Sequence, residues 1–126
     1  MSENPRRFSV SDPFGRTWDV EFRWQQNAIS IRHADAVDCK YYIATGDEQR
    51  ELVVSLPHAD LLAVAADAGR EVSDAWVIRL AGQHLRHMIS AWEDVDKAIA
   101  VPSREAIAAC NRALEQAAKL VAATRR

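Results

Sequence analysis

The chain has 126 residues, 48% of them hydrophobic, and its 16 basic side chains nearly balance its 18 acidic ones. This length suits one domain with one core, and the hydrophobic share excludes a disordered chain. The balanced charge argues against nucleic-acid binding, because contact with phosphates leaves a basic excess in a sequence. We therefore expect a single domain, residues 1–126, without a nucleic-acid partner.

Two further features concern the cellular compartment. Residues 1–7 are not followed by the apolar stretch of a signal peptide, and the longest apolar run, residues 61–66, is far shorter than the roughly 20 residues that cross a bilayer. Cys39 and Cys110 fall in separate predicted elements, which is typical of reduced core thiols rather than of a disulfide or metal site. The sequence therefore predicts a cytoplasmic protein without a membrane contact, a metal or a cofactor.

Residues 6–56 alternate apolar and polar side chains, as expected for an antiparallel sheet with one solvated face. In the clearest strand, Thr17–Trp24, the side chains of Trp18, Phe22 and Trp24 share the face that we expect to be buried. The remaining predicted strands and connections complete the sheet. They are strands 6–11, 28–34, 39–45 and 50–56, a Pro-Gly turn at 12–15, a hairpin loop at 25–27, a polar corner at 35–38 and a turn at 46–49.

Alternate turns of such a meander lie at the same end of the sheet, so several polar side chains could share one rim. These residues are Asp12, His33, Asp35, Asp38, His58 and Asp60. Imidazole and carboxylate groups together suit a divalent metal or a general base. Aspartate is also common in turns for backbone reasons, and we favour the interpretation that these are solvated turn residues.

After Pro57 the apolar residues recur with a helical period. A short helix is predicted from His58 to Ala68, and a longer one, capped by Ser73, runs to about Trp92. Pro102 interrupts the chain before a last helix, Arg104–Thr124. That helix carries an apolar stripe of Ile107, Cys110, Leu114, Ala117 and Val121. Residues 93–101 fit either an extension of the long helix or an exposed bend.

The predicted fold is therefore α+β. An N-terminal antiparallel meander of about five strands, residues 6–56, has one face covered by three C-terminal helices, residues 58–124. Open sheet edges and the alanine-rich last helix both favour self-association, so a homodimer through either surface is expected.

The long helix is the first candidate for a ligand site, because its apolar side chains span about 220° of its circumference. His84 lies inside this arc and His87 lies at its edge. A histidine there must find a hydrogen-bond partner, and a neutral core histidine is the favoured interpretation. A ligand pocket, acid–base chemistry and metal binding are the alternatives. The pocket would be lined by His84, His87, Trp76, Met88 and Trp92.

Function is not determined by any motif. The four glycines are too scattered for a phosphate loop or a dinucleotide fingerprint, and zinc-protease and nucleophile-elbow patterns are missing, so we name no catalytic residue. The favoured interpretation is a non-enzymatic interaction or accessory module of an intracellular, bacterial-type protein. The alternative is a small-molecule-binding protein or minor enzyme, with a pocket between the sheet and the long helix anchored by His84.

Overall fold

The computed structural model describes residues 6–28 and 35–124. Four strands come first: β1 (Arg7–Ser11), β2 (Thr17–Ala28), β3 (Ala36–Thr45) and β4 (Glu48–Pro57). Helices α1 (His58–Ala68) and α2 (Asp74–Ala91), the short strand β5 (Ile99–Ala100) and helix α3 (Arg104–Thr124) follow. The sheet order is β1-β2-β3-β4-β5, antiparallel except for the last pair. The predicted α+β class, with strands first and helices after, is confirmed.

Two predicted connections are wrong. Residues 25–27, predicted as a hairpin loop because of their polar side chains, continue β2, where Gln25 pairs with Cys39 and Gln26 with Asp38. Residues 36–38, predicted as part of the polar corner 35–38, pair with residues 26–28 of β2 and therefore begin β3. Most of the predicted strand 28–34 lies outside the described residues. The fifth strand of the sheet comes instead from residues 99–100, in the segment that the sequence left ambiguous.

A β-bulge changes which side chains of β2 face the core. Phe22 pairs with Tyr41, and Trp24 pairs with Lys40, which is adjacent to Tyr41 in β3. Arg23 is therefore an additional residue of β2 that has no pairing partner of its own in β3. Beyond the bulge the alternation is inverted. Trp24 lies on the outer face, 39% exposed, and the prediction that it is buried is wrong. Gln25 takes the inward position, opposite the fully buried Cys39.

This register can be tested by fluorescence quenching. Trp24 is the most exposed of the four tryptophans, so Trp24→Phe should remove the largest acrylamide-quenchable share of the emission and change Tm by less than about 2 °C. Trp76→Phe, which alters a tryptophan only 2% exposed, is the control and should leave the quenchable share in place. A large loss of stability in the Trp24 variant would contradict the bulge.

Helices α1 and α2 cover one face of the sheet, and α3 packs on both of them. The capping residues read from the sequence are confirmed. Gly69 ends α1 at φ 66°, and the hydroxyls of Ser73 and Ser103 accept hydrogen bonds from the backbone three residues later, at 3.2 and 3.1 Å. The inward side chains of the sheet and helices form one cluster. The other sheet face is left uncovered by the described helices.

Candidate functional site

A buried carboxylate, Asp12, organises the turn between β1 and β2. Its Oδ1 accepts hydrogen bonds from the backbone N–H groups of Phe14 and Arg16, both at 2.9 Å. Its Oδ2 accepts from Arg16 Nε at 2.8 Å and from the Trp18 indole at 3.0 Å. Burial raises the pKa of Asp12, but the hydrogen bonds from Trp18, Arg16 and Phe14 outweigh burial and lower this pKa to about 2. Asp12 is therefore an ionised anchor at neutral pH, not a proton carrier.

Two guanidinium groups stack on two tryptophan rings beside this turn. The Arg16 guanidinium lies 5.2 Å from the ring centre of Trp18 and 5.0 Å from that of Trp92. The corresponding distances from Arg50 are 5.8 and 5.6 Å. Glu48 pairs with both arginines, at 3.4 and 2.7 Å. We call these residues the arginine–tryptophan cluster: Asp12, Arg16, Trp18, Glu48, Arg50 and Trp92.

The arginine–tryptophan cluster joins the β1–β2 turn, the β3–β4 turn and the end of α2. Trp92 ends that helix at φ 56°, a left-handed conformation that is unfavourable for a tryptophan and is offset here by the stacking. The cluster contains two cationic and two anionic side chains, which pair with one another. We interpret it as a structural clamp. The sequence did not reveal it, because its members come from distant segments without a fixed spacing.

The predicted rim of polar residues divides between the two ends of the sheet. Asp12 lies beside the β3–β4 turn, since its partner Arg16 reaches Glu48. Asp35 and His58 lie at the opposite end, where the His58 N–H donates to the Asp35 carbonyl at 2.8 Å. The prediction that Asp12 shares their rim is wrong, because the described residues form four strands before α1, and the predicted meander had five.

The other members of the predicted rim have separate surroundings. Asp38 lies within β3, where it pairs with Gln26 and Ser55. The Asp60 carboxylate forms an ion pair with Arg104 at 2.8 Å, which ties the start of α1 to the start of α3. His33 lies outside the described residues. Within residues 6–28 and 35–124, no three His, Cys, Asp or Glu side chains are placed to hold a metal ion.

The two histidines of α2 are neighbours, with ring centres 6.5 Å apart. His84 is half-buried. Its pKa is lowered mainly by desolvation and, to a smaller extent, by electrostatic repulsion from His87. It is therefore neutral at pH 7. His87 is exposed, and its Nε2 lies 3.5 Å from a carboxylate oxygen of Glu93.

The remaining predicted ligand residues lie in different surroundings along α2. Trp76, near its start, is buried and donates to the Asn111 side chain of α3 at 3.0 Å. Met88 is buried in the core, and Trp92 belongs to the arginine–tryptophan cluster. The structure therefore joins His84 to His87 but places Trp76 and Trp92 at opposite ends of the helix. A ligand-binding role for these residues stays a prediction.

The uncovered face of the sheet is shallow, and it carries charged side chains together with the exposed rings of Trp24 and Tyr42. It contains a depression of about 810 Å³ across β1 to β4. Arg7 and Arg23 pair with Glu21 at 3.6 and 3.2 Å, and Lys40 pairs with Glu51 at 3.6 Å. With the Asp19 carboxylate on the same face, the described residues supply three basic and three acidic side chains there, so they give no basic excess that would attract phosphates.

The second half of α3 extends beyond the helices on which the first half packs. Ile107 and Cys110 are buried, whereas residues 115–123 are all exposed. Leu120 is 68% exposed and Val121 is 42% exposed. At 100° per residue, Ala117, Leu120 and Val121 lie within an arc of about 100°, continuous with the buried stripe of the first half. An apolar helix face of this kind is typical of a protein contact surface.

None of the helices in the described part of the chain combines the length and apolar character needed to cross a bilayer. Comparisons of the chain with protein families, with curated proteins and with solved structures find no match.

Proposed function

We propose that this domain is a non-enzymatic interaction module whose partner is a second copy, docked through the second half of α3. The observation that carries the proposal is the exposed apolar arc on that helix, centred near Leu120, which is 68% exposed. Burying leucine side chains is worth roughly 1.5–3 kcal/mol each, so a matching apolar surface would be stabilising.

The chemistry of the reactive side chains supports a non-enzymatic role. Burial raises the pKa of Cys39 to about 12 and that of Cys110 to about 11, so neither thiol is a nucleophile at neutral pH. Asp12 is held ionised by four hydrogen bonds. Both cysteines are also buried and unbridged, which supports our placing the module in the reducing cytoplasm.

An antiparallel pair of α3 helices related by a two-fold axis suits this surface. Ala113 and Ala117 allow the two backbones to approach closely, while Leu120 of each copy contacts the first half of the other's exposed segment. The charged residues Arg112, Glu115 and Lys119 lie on the opposite side of the helix and stay in water. The exposed segment is only about 14 Å long, so the area is below that of a standard interface and we expect a micromolar Kd.

Sedimentation velocity tests the proposal. Wild type should shift from monomer to dimer across a micromolar concentration series, and Leu120→Glu should stay monomeric because it places a charge in the apolar arc. The matched control is Ala122→Glu, which adds the same charge about 160° away on the helix and should dimerise like wild type. Both side chains are exposed, so neither variant should alter Tm by more than about 2 °C.

A wild type that stays monomeric throughout the series would refute the homodimer. A dimer unaffected by Leu120→Glu would instead indicate the sheet edge at β1 as the contact surface.

A further inference from the structure

The uncovered face of the sheet holds two exposed aromatic rings beside the depression across β1 to β4. Tyr42 is 37% exposed and lines this depression, and Trp24 is 39% exposed. Tyr42 pairs with Glu21 and Trp24 pairs with Lys40, so the two rings are diagonal neighbours on β3 and β2. Together they form an apolar area on a face whose other described side chains are mainly charged or hydroxylic, which is typical of a contact surface.

Both rings keep surface that a ligand can cover. The Tyr42 hydroxyl is hydrogen-bonded to the Glu51 carboxylate, which orients the ring. The Arg23 guanidinium stacks 4.3 Å from the centre of the Tyr42 ring but does not line the depression, so it leaves the ring open on that side. The Lys40 ammonium lies 5.8 Å from the centre of the Trp24 ring, which is a loose contact. Rings of this kind attract the polarised C–H groups of a ligand.

The floor of the depression offers hydrogen-bonding groups with unused capacity. Ala44, whose small side chain leaves room, lies between Asp19 and Gln49 in the sheet. Asp19 accepts from the Ser9 hydroxyl through Oδ1, and Glu21 forms both of its ion pairs through Oε1. Within residues 6–28 and 35–124, Asp19 Oδ2, Glu21 Oε2 and the Gln49 amide have no hydrogen-bond or ion-pair partner. A ligand that donates and accepts at several points would use these groups.

The charge and shape of this face define the class of ligand. Its three basic and three acidic side chains balance, so a strongly charged ligand of either sign meets as much repulsion as attraction. A depression of about 810 Å³ that is open and shallow suits an extended ligand rather than an enclosed one. A chain of neutral sugar rings has this shape, and it combines many hydroxyl groups with flat C–H faces.

We propose that the uncovered face of the sheet binds a neutral, extended oligosaccharide. In the depression, sugar hydroxyls donate to Asp19 and Glu21 and exchange hydrogen bonds with the Gln49 amide. The C–H faces of the adjoining sugar rings pack on Tyr42 and Trp24. This surface lies on the side of the sheet away from α1 and α2, so the binding is independent of the α3 contact surface.

NMR titration with two neutral β-1,4-linked sugars, cellohexaose and hexa-N-acetylchitohexaose, tests the site. At least one of them should bind and shift the amide resonances of Ala44 and Gln49. Tyr42→Ala and Trp24→Ala should each weaken that binding at least about tenfold, because each removes a stacking surface. The matched control is Phe14→Ala, which removes a ring that is 66% exposed but does not line the depression, and it should bind like wild type.

The charge argument has its own test in hexaglucosamine, which has the same linkage and carries protonated amino groups at about pH 6. It should bind more weakly than the neutral sugars, and equal or tighter binding would overturn the proposal. The proposal also fails if neither neutral sugar shifts a resonance at millimolar concentration, which would leave the two rings to a protein partner. Wild-type affinity in Tyr42→Ala or, if that variant does not fold, in Trp24→Ala would refute it as well.

Discussion

The Asp12→Asn variant should unfold about 10 °C below wild type at pH 7, because a side-chain amide cannot accept all of the hydrogen bonds that the carboxylate receives. Its NH₂ group would face N–H donors from Arg16 and Trp18 that now lie at 2.8 and 3.0 Å from the carboxylate. The Trp18 indole is fully buried and has no access to water as a replacement acceptor. Differential scanning calorimetry measures the effect.

The same variant should differ from wild type in its response to acid. The pKa of Asp12 is lowered in the folded state from 3.8 to about 2, so its ionisation stabilises the fold fully above about pH 4. That stabilisation is lost as the pH falls through 3.8 toward 2. The difference in Tm between wild type and Asp12→Asn should therefore shrink over this interval.

Asp19→Asn is the matched control, because Asp19 is an exposed carboxylate that accepts a hydrogen bond from the Ser9 hydroxyl at 2.8 Å. It should lower Tm by no more than about 2 °C. Equal effects of the two substitutions, or a difference from wild type that does not depend on pH, would contradict the role of Asp12.

Asn111→Leu should destabilise the domain by about 2 kcal/mol, because it leaves the Trp76 indole N–H buried without an acceptor. Both residues are nearly inaccessible, at 4% and 2% exposure, and their hydrogen bond is 3.0 Å long. Urea unfolding of Asn111→Leu, Trp76→Phe and the double variant gives the coupling energy. The double variant should be less destabilised than the sum of the single ones, by about 1 kcal/mol or more, since it leaves no orphaned partner.

Additive effects within about 0.5 kcal/mol would show that the two side chains are not coupled. Asn111→Leu should also loosen the attachment of α3 to the rest of the domain. The rate of backbone amide hydrogen exchange in this variant should therefore rise most in residues 104–111. If protection falls uniformly across the domain instead, α3 is anchored mainly by Ile107 and Cys110.

The helices and their ends could be predicted because the determinants are local. Ser73, Ser103 and Gly69 act within one helical turn, and the buried arc of α2 follows from spacing alone. The order of strands before helices is equally visible in the change of hydrophobic period after Pro57. These features need no knowledge of distant contacts.

The bulge and the arginine–tryptophan cluster could not be predicted, because their determinants are tertiary. Nothing in the polar segment 25–27 distinguishes a loop from a strand until β3 is available as a pairing partner. One extra residue, Arg23, then exchanges the faces of Trp24 and Gln25. The left-handed turn at Trp92 likewise depends on arginines from the first half of the chain.

Strand β5 pairs with the edge of the sheet but is synthesised after the first four strands and two helices. Until Ile99 and Ala100 pair with Val53 and Val54, β4 is the edge strand of the sheet. A nascent chain that has completed its first four strands therefore presents an open edge, with a β-branched pair at its centre, until the last quarter of the domain leaves the ribosome. Once made, the two-residue strand covers the edge at Val53 and Val54, so we expect variants that cannot form it to aggregate more readily during synthesis than the wild type.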